Sequence, residues 1–132
     1  MRITADTNVL VRALVEDDER QGRIAQAELA GADMVAIPTP ALCELVWVLS
    51  QGYRVPAPDI AEAIRRLANS ANVSLDRPAM EAGLAQLDAG GDFADGVVAY
   101  EGRWLGAESF VSFDRKAVRL LTERGEPSRL LS

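Results

Sequence analysis

Two aspartates, Asp92 and Asp95, open the otherwise small and apolar stretch Asp92-Phe93-Ala94-Asp95-Gly96-Val97-Val98-Ala99-Tyr100. Residues three apart on a helix lie on neighbouring faces of a turn, so both carboxylates can point the same way. Two uses fit the pair. Asp92 suits an N-cap, and Asp95 in the first turn meets the positive end of the helix dipole. Alternatively, at least one of them is a metal ligand. Asp6 and Asp114 carry the same ambiguity, since each follows a short apolar run and could cap the helix after it, while Glu44 lies inside an apolar run.

The missing residue types narrow the chemistry. The 132 residues include no histidine and one cysteine, Cys43. Ser-His-Asp and Cys-His nucleophiles, His-based zinc sites and an imidazole general base are all excluded. Carboxylates, hydroxyls, Lys/Arg or a bound ion remain. Nothing near Cys43 in the chain would activate it, so it reads as a packed small residue. A lone cysteine allows no internal disulfide and fits a reducing cytoplasm. The net charge of −6 argues against broad, sequence-blind nucleic-acid binding, which needs a positive surface. A divalent cation standing between an acidic protein and a phosphate lifts that objection.

The elements that must position these acids follow from the apolar pattern. The length indicates one domain spanning 1–132, large enough to bury a core without staples. The longest apolar run, from Ala41 to Leu49, is interrupted by Glu44 and falls far short of a membrane span. The opening Met-Arg-Ile-Thr-Ala-Asp lacks a signal-peptide apolar region, so a cytoplasmic protein is expected. Strands are expected at 2–5, 34–37, 72–75 and 109–113, with a possible short edge strand at 128–132. Helices are expected from Thr7, through Arg23 to Gly31, from Thr39 with Thr39 as N-cap and Pro40 at N1, through Ile60, Ile64 and Leu67, from Pro78 to Leu87, from Asp92 to about Leu105, and after Asp114. Strands alternating with helices indicate an α/β fold with a mostly parallel sheet, whose ligands bind at the strands' carboxyl ends.

That rule gives the acids a meaning. Asp6 follows the first strand, Asp114 the last clear one, and Asp95 sits in the first turn of the helix between the third and fourth. Glu44 falls early in a helix that is apolar almost all round, where an unpaired carboxylate is costly to bury, so pairing or a cation should compensate it. Clustered carboxylates raise one another's pKa unless a cation sits among them. Hard oxygen ligands suit Mg²⁺ or Mn²⁺, with waters completing the octahedron. Such an ion lowers the pKa of water and neutralises phosphate charge, which removes the need for a histidine base.

The pattern Asp6-Thr7-Asn8-Val9-Leu10, Glu44 early in its helix, Asp92-Phe93-Ala94-Asp95 and Ser112-Phe113-Asp114-Arg115-Lys116 resembles a PIN domain, and specifically the VapC toxins of bacterial toxin–antitoxin pairs. The resemblance spans nearly the whole chain. It implies a PIN-like three-layer α/β fold, with a central, mostly parallel sheet of four or five strands flanked by helices. It also implies a metal-dependent endoribonuclease, in which Asp6, Glu44, Asp95 and Asp114 hold Mg²⁺ or Mn²⁺ and Asp92 either assists or merely caps. Ser112 stands where the family often has threonine and is a candidate for substrate contact, Gly96 stands where a better helix former is common, and Asn8 is expected to hold the Asp6 loop. Arg115 and Lys116 are candidates for phosphate contact or are solvated helix charges; Arg12 and Arg103 are weaker candidates. RNA, single-stranded or looped, is the expected substrate. The apolar face of Val46, Trp47, Val48 and Leu49 belongs to the core by default, and the resemblance suggests a homodimer contact, an antitoxin groove, or both. Two alternatives stand beside this reading. One is a PIN fold kept as a nucleic-acid-binding or regulatory module with little nuclease activity. The other is a receiver-like phosphoacceptor domain, which wants two adjacent acids after the first strand where this chain has Asp6-Thr7-Asn8.

Overall fold

The computed structural model describes residues 1–132, which divide into two compact units, Met1–Arg77 and Pro78–Ser132. The first unit runs β1 (Arg2–Thr4), α1 (Thr7–Leu14), α2 (Glu19–Gly31), β2 (Met34–Ala36), α3 (Thr39–Trp47), a π-helical turn (Val48–Gly52), α4 (Ala57–Ala68) and β3 (Val73–Ser74). The second contains α5 (Arg77–Asp88, beginning at the boundary), α6 (Phe93–Trp104), β4 (Phe110–Ser112), α7 (Arg115–Glu123) and β5 (Ser128–Leu130). No helix is long and apolar enough to cross a membrane.

The α/β class and the parallel pairing are as expected, and the strands number five. In the first unit β1, β2 and β3 form a parallel ladder in that order, with Ile3 beside Val35 and Val35 beside Val73. In the second, β4 and β5 pair in parallel, Val111 beside Arg129, so the suspected terminal strand is real. The strands are shorter than the apolar runs suggest, and after β1 and β4 the chain passes within a few residues into the extended N-caps Asp6 and Asp114. Buried Leu10, Val35, Ile37, Leu42, Leu45 and Ile64 make the core of the first unit. Met80, Leu84, Phe93, Val97, Val118 and Leu121 make that of the second.

Two expectations about α3 change. Its N-cap is Pro38, held extended at ψ 149 and offering no side-chain hydrogen bond. Thr39 is therefore the first helical residue and Pro40 the second, where a missing N–H still costs nothing. The helix is also less uniformly buried than its composition suggests. Leu42, Leu45, Val46 and Leu49 are buried, whereas Glu44 and Trp47 face solvent. A glutamate on the exposed stripe of an apolar helix needs no buried partner.

Gly96 has a packing reason. A Cβ there would stand 2.3 Å from the Ala82 carbonyl oxygen and 2.9 Å from Gln86 Cβ, so α6 can cross α5 this closely only with glycine. The helix gives up propensity at this position for close approach. Gly96→Ala should therefore destabilise the protein by about 2 kcal/mol through overpacking, although alanine is the better helix former; urea unfolding of the two proteins measures the difference.

Candidate active site

In the first unit the chain turns out of β1 directly into α1, and the helix start has backbone N–H groups without helical partners. Asp6 stands at the N-cap with extended backbone, and its Oδ1 accepts from the Thr7 N–H at 2.8 Å. Thr7 is itself buried, and its hydroxyl donates to Glu44 Oε2 on α3 at 2.9 Å. One threonine thus holds two of the expected acids, Asp6 through its backbone and Glu44 through its side chain. Glu44 is exposed, so the expectation of a costly buried carboxylate is corrected: this hydroxyl orients it at the surface. Asn8, expected to hold the Asp6 loop, is exposed, and Thr7 takes that part. The sequence does carry a signal for Thr7, a short hydroxyl directly after a strand-end aspartate.

In the second unit Asp114 caps α7, its Oδ1 accepting from the Ala117 N–H at 3.0 Å. Its own N–H donates to Ser112 Oγ at 2.9 Å. Ser112, a candidate for substrate contact, is thereby given a local task in shaping the turn that presents Asp114. Asp92 occupies the N-cap position of α6, yet its side chain makes no capping hydrogen bond, so it is a cap in position only. Asp95 follows in the first turn, half-buried. Burial pushes its carboxyl above the ordinary aspartate range, and the negative charges of Asp92 and Asp114 push in the same direction. Asp95 therefore feels the charges of both Asp92 and Asp114.

The basic candidates separate. Arg12 is committed within the first unit, where Nε donates to Gln21 Oε1 at 2.7 Å and Nη1 lies 3.3 Å from the Tyr53 hydroxyl and 3.5 Å from Asp17. The Tyr53 hydroxyl in turn donates to Asp17 Oδ2 at 2.7 Å. Arg103 pairs with Glu126 at 2.6 Å. Arg115 and Lys116 are exposed in the first turn of α7, the end of a helix where a cation is disfavoured by the dipole. Cys43 is half-buried and takes part in no disulfide.

The PIN domain family model matches residues 3–120, a span that runs through both units and takes in all four principal acids. The chain belongs to the PIN domain family. PIN domains are usually nucleases, which assigns the chain to hydrolases and makes nucleic acid its substrate class. Comparison with curated protein sequences finds no match.

With no histidine present, the carboxylates, hydroxyls and carbonyls of either unit offer oxygen donors, which suit a hard divalent cation. No three Asp, Glu, Cys or His side chains close into a ready-made cage.

Two measurements check these local arrangements. Thr7→Val keeps the shape and removes the hydroxyl, and should cost about 1 kcal/mol in urea unfolding, most of it restored in Thr7→Ser. For Asp95 the sign runs opposite to a stabilising carboxylate. Its folded pKa lies above the unfolded one, so the charged form lowers stability at neutral pH and the penalty disappears as the group protonates. In chelator, Asp95→Asn should therefore raise the thermal midpoint at pH 7. The gain should shrink as pH falls through the raised pKa of Asp95 and vanish below the ordinary aspartate value.

Proposed function

We propose that the chain acts as a single PIN-like domain, a metal-dependent endoribonuclease, and that it is the toxin of a toxin–antitoxin pair. The observation that carries the reading is the PIN family match running through all four acids, and the half-buried Asp95 carboxyl, raised by burial and then by Asp92 and Asp114, agrees with it. A protein gains nothing in stability from such like-charge crowding, and a divalent cation relieves it. Asp6, Glu44, Asp95 and Asp114 are the acids that would hold Mg²⁺ or Mn²⁺, and Asp92 is placed to add charge. When bound, the ion supplies Lewis acidity toward a phosphodiester and acidifies water.

The chain's own residues supply the rest. Thr7 fixes the rotamers of Asp6 and Glu44, so these carboxylates need little reorganisation on meeting a cation. Ser112 holds the Asp114 backbone and the Ala117 N–H holds its Oδ1, which leaves the second carboxylate oxygen outside the cap hydrogen bond. Arg115 and Lys116 stand beside Asp114 without ion-pair partners and against the helix dipole, which suits a phosphate contact better than a structural role. The net charge of −6 makes the cation a condition of RNA binding as well as of cleavage. A cognate antitoxin and a homodimer complete the proposal, resting on the resemblance to VapC toxins.

The deciding experiment compares cleavage of single-stranded RNA by the wild type and Asp95→Asn, in Mg²⁺ or Mn²⁺ and in chelator. Loss of rate by about a hundredfold or more is expected from the substitution, the scale of removing one electrostatic stabiliser, and chelator should abolish cleavage. Cleavage indifferent to both would refute the metal-nuclease reading. Growth arrest on expression, relieved by the product of a small adjacent reading frame, separates a toxin from a housekeeping nuclease.

A further inference from the structure

Gln86, in the middle of α5, is fully buried and is the only buried polar side chain of the second unit. Its surroundings are unusual for a residue with no obvious structural task. Nε2 donates to the Ala117 carbonyl at 3.4 Å, while Oε1, equally buried, accepts no hydrogen bond. Its backbone carbonyl accepts the Gly91 N–H at 2.8 Å. Its side chain lies so close to two glycines that a Cβ on Gly91 would come within 3.1 Å of Cγ and Nε2, and one on Gly96 within 2.9 Å of Cβ.

Each of those three contacts adjoins a carboxylate. Gly91 precedes Asp92, Gly96 follows Asp95, and the Ala117 N–H is the group that Asp114 caps at 3.0 Å. Stability alone does not account for the amide. The Ala117 carbonyl lies inside α7, where the helical ladder already supplies a donor. The bond from Gln86 is at the long end of the range, and an apolar side chain of the same shape would fill the space without stranding Oε1.

We propose that Gln86 is a positioning residue, a buried node that holds the starts of α6 and α7 so that Asp95 and Asp114 keep their mutual placement. What that placement serves rests on the metal-nuclease reading. The positioning itself does not.

The test uses the full chain with Gln86→Met, and Gln86→Leu as a second variant should methionine not fold. Amide hydrogen exchange in metal-free protein reads the positioning directly. Exchange at the Ala117 N–H should accelerate about tenfold while the thermal midpoint stays unchanged or rises. Calorimetric Mn²⁺ binding should weaken about tenfold, the lower range for outer-layer partners of a metal site. Unchanged exchange overturns the proposal. So does uniformly faster exchange across α5, α6 and α7 with a lowered midpoint, which would mark Gln86 as ordinary core filling. If the wild type itself binds no Mn²⁺, the metal reading fails separately, and Ala117 exchange alone decides the positioning.

Discussion

A helix that begins directly after a strand leaves several backbone N–H groups without partners, and most of this structure follows from how that deficit is met. After β1 the acceptor is Asp6, and after β4 it is Asp114. Aspartate is short enough to reach back to its own helix start and negative enough to favour the dipole there. Each cap uses one carboxylate oxygen. The second oxygen is then held in a defined direction at a strand's carboxyl end, where α/β folds place their chemistry. Capping and metal binding are thus compatible uses of one side chain, and the structural explanation of these aspartates supports the chemical one.

Neutral polar groups complete the arrangement in each unit. Thr7 spends its N–H on Asp6 and its hydroxyl on Glu44, which ties the start of α1 to α3 without adding positive charge. Ser112 accepts from the Asp114 N–H in the same spirit. An arginine in any of these places would neutralise the carboxylates and remove their reason to attract a cation. The arginine of α1, Arg12, is instead engaged with Gln21, Tyr53 and Asp17. In the second unit Asp95 is half-buried near the charges of Asp92 and Asp114, and burial first, then those charges, raise its pKa.

Close packing supports the electrostatics. Gly96 lets α6 approach the Ala82 carbonyl, and Gly83 leaves room for the Phe93 ring, where a Cβ would come within 2.6 Å of it. The first turn of α6, with Asp95 in it, is therefore set by contact with α5 and has little freedom to shift. A half-buried carboxylate on a rigid helix start cannot escape its neighbours by moving, so the repulsion persists in the folded state.

Period and punctuation alone determined the order of strands and helices, the α/β class and the parallel pairing, because strand-then-helix alternation has few topological solutions. The absence of histidine removed imidazole from the donor set, since composition needs no coordinates. The positions of Asp6, Asp95 and Asp114 at helix starts were legible for the same reason, as capping is local. What each acid touches was not. Glu44 sits in an apolar run and yet faces solvent, because burial depends on which stripe of α3 meets its neighbours. Asp92 occupies a cap position without making the bond, because a side-chain rotamer is settled by its surroundings. Thr7 joins residues 37 apart in the chain, and Gln86 reaches α7 from α5. Contacts between distant segments exist only once the chain has folded, and they decide how the acids are held.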